Sequence, residues 1–126
     1  MKRNEHILST LGKTWIFDLD GTVVKHNGYK IDGKDTLLEG AREFFGKIPK
    51  TDMIVFITSR TLDLKEETED FLLKEGIRFD QIFWCAPFGE RILINDKKPS
   101  GLSTALAINT ERDKFMEDIF KVNEGI

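Results

Sequence analysis

Residues 15–22, Trp15-Ile16-Phe17-Asp18-Leu19-Asp20-Gly21-Thr22, decide the fold. The apolar run at 15–17 predicts a short buried strand, and two aspartates and a glycine turn follow it. Asp18 and Asp20 are expected to converge beyond the strand end, where two carboxylates repel unless a divalent cation or a shared proton compensates. Mg²⁺ is the ion that suits a site made of oxygen ligands. The alternative is an ordinary turn, because Asp and Gly commonly follow a strand as turn residues.

Two later apolar runs, at 53–57 and 91–94, also end in polar or charged residues. In open α/β sheets, ligands bind at the carboxyl ends of the strands. The second and third runs therefore add polar groups to the edge where the aspartates lie. These polar groups are Thr58-Ser59-Arg60 after the second run and Asn95-Asp96-Lys97-Lys98 after the third.

The alternation of strand-like and helix-like segments predicts an α/β fold with a parallel sheet and covering helices. Residues 1–13 are expected to form a short helix or an ordered arm, and residues 22–36 a turn followed by a short hairpin or flap. The remaining predicted elements are strands at 14–18, 53–58, 81–85 and 91–95, helices at 37–47, 61–75 and 111–122, and a strand or short helix within 100–110.

Composition narrows the function classes. The chain has 126 residues, which predicts one domain over 1–126. The net charge is −3 and no basic stripe is present, so nucleic acid is not an expected partner. No apolar run approaches membrane-spanning length, so no membrane partner is expected. The single cysteine, Cys85, excludes an internal disulfide and fits a reducing cytoplasm.

The order Asp18-x-Asp20-Gly-Thr, then Thr58, then Asp96 resembles the signature of the haloacid-dehalogenase (HAD) superfamily of phosphotransferases. The resemblance covers roughly residues 15–99. It implies a three-layer α/β/α sandwich with a Rossmannoid parallel sheet and the strand order 3-2-1-4-5. No large cap domain is expected, because core helices and strands use up both intervals between the three motifs.

The resemblance implies a role for each motif residue. Asp18 would attack phosphorus and form an aspartyl-phosphate, and Asp20 would act as the general acid and base. Mg²⁺ would be bound by the Asp18 carboxylate, the Asp20 backbone carbonyl and the Asp96 carboxylate. Thr58 would donate a hydrogen bond to a phosphoryl oxygen.

Further substrate contacts are implied beside these groups. Gly21 would let the backbone approach the phosphate closely. Thr22 would either fix the Asp20 side chain or stabilise the turn. The expected substrate-binding set also includes Ser59, through its amide, Arg60 and Lys97.

The chain departs from the family pattern at the third motif, which supplies a Lys or Arg. No cation occurs in the segment 85–90, where that residue usually lies. Lys98 is the expected substitute and Lys97 the second choice, because both directly follow Asp96. Both could equally be solvated loop lysines.

The expected function is a Mg²⁺-dependent phosphomonoester hydrolase. Its substrate would be a phosphorylated small molecule such as a sugar phosphate, as in small capless members of the superfamily. An open site is also compatible with a homo-oligomer. One alternative is a catalytically impaired binding or regulatory module of the same fold. A receiver domain is a third candidate, but receivers carry their acceptor aspartate on a later strand.

Overall fold

The structure is a computed structural model that describes residues 3–126. It is a mixed α/β fold with parallel strands in two small sheets. The contacts divide the chain into two compact units, and each is described by itself. The larger unit comprises Gly12–Pro87 and Thr110–Met116, and the smaller one the chain up to Leu11, Phe88–Asn109 and Glu117–Ile126. The single domain expected over 1–126 stays a prediction.

The larger unit is built on a three-stranded parallel sheet. Its strands are β2 (Thr14–Phe17), β3 (Met53–Ile57) and β4 (Gln81–Phe83), in the spatial order β2-β3-β4. Phe17 lies beside Phe56 in the register, so both strands reach their carboxyl ends at the same edge. The first three predicted strands are therefore confirmed, with shorter bounds.

An aromatic core holds the helices against this sheet. Phe56 is fully buried at the centre of β3. Phe45 packs on it with ring centroids 5.7 Å apart and on Phe17 at 4.5 Å. Rings at these separations attract each other beyond their burial of apolar surface. The neighbouring Phe44 extends the cluster to Phe115 at 5.6 Å.

Helix α2 (Ala41–Lys47) begins later than the helix predicted at 37–47. Gly40 precedes it with φ 92°, a left-handed conformation that interrupts helical geometry. The residues before Gly40 bond elsewhere, since the Leu38 amide donates to the Val23 carbonyl at 2.9 Å. The apolar residues at 37–45 therefore pack in or against the core, although only those from Ala41 onward are helical.

Helix α3 (Lys65–Lys74) follows a 3₁₀ turn at Leu62–Leu64, and together they match the helix predicted at 61–75. Gly76 ends the helix, with φ 79°. Its amide donates to the Leu73 carbonyl at 3.0 Å, and the Ile77 amide donates to the Leu72 carbonyl at 2.9 Å. This pair of bonds is the Schellman arrangement, which satisfies the last carbonyls of a helix.

Residues 22–36 form a turn, a short helix α1 (Gly28–Ile31) and a return path. The two ends of the segment meet through an antiparallel bridge between Val24 and Leu37. The Lys25 amide donates to the Thr36 carbonyl at 2.9 Å. The predicted turn and short hairpin thus correspond to a turn and one bridge, with a helix between the two arms.

The smaller unit contains a two-stranded parallel sheet of β1 (Glu5–Leu8) and β5 (Ile119–Val122). Of the two alternatives expected at 1–13, the short helix is wrong where the structure describes the segment, and the ordered arm is compatible with strand β1. The first two positions lie outside the described residues. The helix expected at 111–122 is also wrong. Asp113 has φ 66°, which breaks helical geometry, and the last residues of that range pair as a strand instead.

Two more predicted elements are corrected in the smaller unit. Residues 91–95 carry no regular structure, and neither do residues 100–110. Ile92 and Ile94 are 82% and 90% exposed. An apolar run becomes a strand only when a neighbouring edge supplies hydrogen-bond partners. Among residues 3–126, no strand pairs with 91–95.

Candidate functional site

Asp18 follows β2 directly and is held by a neighbouring hydroxyl. Thr22 Oγ1 donates to Asp18 Oδ2 at 3.0 Å. The sequence left two roles open for Thr22, fixing Asp20 or stabilising the turn. The structure instead shows that its side chain orients the first aspartate.

The turn after Asp18 is fixed by its own backbone. The Leu19 carbonyl accepts hydrogen bonds from the amides of the three residues at 22–24, at 2.9–3.2 Å. The Gly21 amide donates to the Val24 carbonyl at 2.7 Å. Gly21 has φ 81°, which only glycine adopts readily. These hydrogen bonds fix the backbone on both sides of Asp20 and so fix the direction of the Asp20 carbonyl.

Thr58 lies at the end of β3, next to the end of β2. It is buried, and its Oγ1 accepts a hydrogen bond from the Arg60 amide at 3.1 Å. A hydroxyl that accepts still has its own proton to donate. This geometry is compatible with the predicted hydrogen bond from Thr58 to a phosphoryl oxygen.

The backbone of the loop at 58–60 is held from the β4 side. The Ala86 amide donates to the Thr58 carbonyl at 3.0 Å, and the Cys85 amide donates to the Arg60 carbonyl at 2.9 Å. Cys85 has φ 62° and an exposed thiol. Ser59, in the middle of the loop, is half-buried.

Arg60 is the most heavily bonded side chain of the site and is only 5% exposed. Its Nε and Nη2 donate to the two carboxylate oxygens of Asp20 at 3.0 and 2.8 Å. Its Nη1 and Nη2 donate to the two oxygens of Asp35 at 3.0 and 2.7 Å. A fifth bond joins Nη1 to Thr68 Oγ1 at 2.9 Å, and the Tyr29 ring lies 4.4 Å from the guanidinium carbon.

Opposing effects act on the charge of Arg60. Burial lowers the pKa of the guanidinium, whereas its hydrogen bonds and charge attraction to Asp20 and Asp35 raise it. The pKa ends above its usual range. Arg60 therefore remains a cation shared by two carboxylates.

Arg112 and Asp113, which no sequence motif marked, also lie against Gly21. The Asp113 amide donates to the Gly21 carbonyl at 2.8 Å, and Asp113 Oδ1 accepts from the His26 amide at 2.7 Å. The Arg112 side chain also packs against Gly21. A Cβ added to Gly21 would lie 3.2 Å from Arg112 Cγ. The adjacent Arg112 and Asp113 were the sequence feature that could have indicated this contact, but both fell within the helix predicted at 111–122.

The remaining predicted site residues lie in the smaller unit. Asp96, Lys97 and Lys98 are exposed and belong to an irregular segment. The Gly101 amide donates to the Lys98 carbonyl at 2.8 Å, which closes a turn after the three residues. The larger unit thus brings together Asp18, Asp20, Gly21, Thr22, Thr58, Ser59 and Arg60.

The donor set in the larger unit fits a hard cation in part. Asp18 offers a carboxylate, and Asp20 offers a backbone carbonyl on a fixed turn. The Asp20 carboxylate is bonded to Arg60, and the use of the Asp20 carbonyl as a Mg²⁺ ligand stays a prediction. Within residues 3–126, no group of three His, Cys, Asp or Glu side chains is arranged to hold a metal ion. The predicted Mg²⁺ ligands are two carboxylates, of Asp18 and Asp96, and one backbone carbonyl, so they would not form a group of three such side chains.

Comparison with protein-family models, with curated proteins and with solved structures finds no match to this chain. The resemblance to the HAD superfamily therefore stays a prediction from the sequence motifs. In the part of the chain that the structure describes, no helix is long and apolar enough to cross a bilayer.

Proposed function

We propose that this protein is a Mg²⁺-dependent phosphomonoester hydrolase that acts through an aspartyl-phosphate on Asp18. The observation that carries the proposal is the register of two parallel strands. Phe17 of β2 lies beside Phe56 of β3, so Asp18 and Thr58 emerge at the same sheet edge. A nucleophile and a phosphate-binding hydroxyl are needed together at that place.

The chemistry follows from the residue types. An oxygen of Asp18 would attack phosphorus in line, and the bond from phosphorus to the substrate oxygen would break as the new bond forms. Asp20 would give a proton to the departing alcohol and then take one from water, which hydrolyses the acyl phosphate and restores Asp18. Thr58 would donate to a phosphoryl oxygen. These steps release one alcohol and one inorganic phosphate.

Asp18 and the Asp20 carbonyl would hold Mg²⁺, and the resemblance alone adds Asp96 as a ligand. A bound Mg²⁺ offsets the charge that builds up on the transferring phosphoryl group. Lys98, or Lys97 in its place, remains the proposed third-motif cation on the same basis.

The fold proposed with this function is the HAD-like core without a large cap. The strands predicted at 14–18, 53–58 and 81–85 are the first three in the order 3-2-1-4-5, and the observed order β4-β3-β2 supports its 3-2-1 half. The segments predicted as the fourth and fifth strands, 91–95 and 100–110, form no strand, so the 4-5 half has no support in the structure. The three layers depend on the resemblance. The proposed substrate is a phosphorylated small molecule such as a sugar phosphate, as the resemblance implies, and an open site is compatible with a homo-oligomer. A cytoplasmic location is proposed from the single cysteine, Cys85.

A phosphatase assay on the full chain tests the proposal. We expect turnover of p-nitrophenyl phosphate or of a sugar-phosphate panel with Mg²⁺, and its loss on adding EDTA. Asp18→Asn should abolish turnover because an amide is a poor nucleophile. Asp70→Asn is the matched control, because it makes the same substitution at an exposed aspartate on α3. It should leave turnover unchanged. Turnover that survives in Asp18→Asn would contradict the proposal.

A second candidate function is a binding or regulatory module at the same site. It is favoured by the lack of a third-motif cation in the segment 85–90. Binding of phosphate to the wild-type chain with no turnover of any phosphoester would support this module.

A further inference from the structure

The guanidinium of Arg60 has no N–H group left for a substrate. Arginine carries five N–H donors. The structure uses all of them, in two bonds to Asp20, two to Asp35 and one to Thr68. The sequence expectation that Arg60 binds substrate therefore conflicts with the geometry, because a phosphate would have to displace a carboxylate.

Displacement is unfavourable because the carboxylates are themselves shielded from water. The side chain of Asp35 is 8% exposed and that of Asp20 is 19% exposed. Removing the partner of a buried charge leaves that charge uncompensated, which is more costly than any exposed ion pair. Arg60 thus belongs to the framework of the site.

Two separate segments fix the plane of this guanidinium. Asp35 and Tyr29 come from the segment 22–36, and Thr68 comes from α3. The fork then meets both oxygens of Asp20, and a bidentate pair fixes the rotation of a carboxylate as well as its position.

We infer that Arg60 is a positioning residue for Asp20, and that Asp35 is a second positioning residue that acts through Arg60. The inference depends on the proposed function, in which Asp20 is the general acid. Asp35 touches Asp20 only through the shared cation, so its contribution is the orientation of the acid. The segment 22–36 therefore contributes to catalysis without a substrate contact from Asp35.

This role has a chemical signature that a structural role lacks. A general acid matters most when the leaving alcohol is a strong base. Misorienting Asp20 should therefore slow hydrolysis of an alkyl phosphate such as glycerol phosphate more than that of p-nitrophenyl phosphate. A change in folded population alone would lower both rates by the same factor.

The test compares kcat/KM of variants on these two substrates. This ratio covers only the steps up to release of the alcohol, whereas the later hydrolysis of the aspartyl-phosphate is the same for both substrates. Asp35→Asn should lower kcat/KM on the alkyl phosphate by roughly 10-fold or more, a part of the usual contribution of acid–base catalysis. The loss on p-nitrophenyl phosphate should be smaller. Asp32→Asn is the matched control, because Asp32 lies in the same segment but pairs with the exposed Lys25. It should behave as the wild type.

Thr68→Val is the second variant, because it removes one bond to Nη1 and keeps the size of the side chain. It should show the same substrate dependence to a smaller degree, and it keeps the inference testable if Asp35→Asn does not fold. Equal losses of kcat/KM on both substrates, or an unchanged kcat/KM in both variants, would overturn the inference alone. A wild-type chain without turnover would overturn the proposed function and this inference with it.

Discussion

Thr22 Oγ1 donates to Asp18 Oδ2 at 3.0 Å, so the proposed nucleophile is oriented by a hydroxyl four residues along the chain. Thr22→Val should lower kcat by roughly 10- to 100-fold, because a hydrogen bond to a charged group contributes about 1.5–3 kcal/mol and about 1.4 kcal/mol is tenfold in rate. Thr22→Ser keeps the hydroxyl and should retain most of the activity.

Thr36→Val, at an exposed position in the same segment, is the control for loss of a threonine hydroxyl and should leave kcat unchanged. Steady-state kinetics on p-nitrophenyl phosphate with Mg²⁺ measures all three variants. Equal activity of Thr22→Val and the wild type would show that the bond does not contribute.

Asp52 joins the start of β2 to the turn before β3. Its Oδ1 accepts from the Lys13 amide and its Oδ2 from the Trp15 indole nitrogen, both at 3.0 Å. Asp52→Ala should lower the free energy of unfolding by about 1–3 kcal/mol, because two donors lose their acceptor in a buried place. Urea unfolding measures the change, and Asp70→Ala on the exposed face of α3 should cost less than about 0.5 kcal/mol.

Two adjacent leucines on α3 make a matched pair. Leu72 is fully buried, whereas Leu73 is 59% exposed. Leu72→Ala should destabilise the fold by about 2–5 kcal/mol through lost burial and a cavity. Leu73→Ala should cost less than about 1 kcal/mol, since helix propensity favours Ala slightly and little burial is lost. Similar midpoints of urea unfolding for both variants would show that Leu72 contributes no more to the core than the exposed Leu73.

Two glycines should respond to alanine with opposite signs. Gly46 lies within α2, and a Cβ there would meet no atom within 4 Å. Gly46→Ala should therefore stabilise by about 0.5–1 kcal/mol. Gly76 has equal space but φ 79°, so Gly76→Ala should destabilise by about 1–2 kcal/mol. The difference in thermal midpoint between the two variants isolates backbone strain from crowding.

The local parts of the fold could be predicted from the sequence. The apolar runs before Asp18 and Thr58 identified two buried strands, and the rules for parallel sheets placed their ends together. Gly76 indicated the end of α3 because the left-handed position after a helix favours glycine. Each of these signals lies within a few residues of the structure that it specifies.

The long-range parts could not be predicted. Asp35 bonds to Arg60 across 25 positions of sequence, from a segment whose path depends on single bridges such as Val24 to Leu37. No periodicity marks such a partner. The same limit explains the error at 91–95, where an apolar run gives strand propensity but the neighbouring edge decides whether a strand forms.

The position of Cys85 provides a spectroscopic probe. It is the sole cysteine of the chain, its thiol is exposed, and its backbone amide donates to the carbonyl of Arg60. A fluorine-bearing thiol reagent would therefore attach at one place, beside the loop that carries the guanidinium. The fluorine resonance of that label would report whether the loop moves when inorganic phosphate is added to the otherwise native chain.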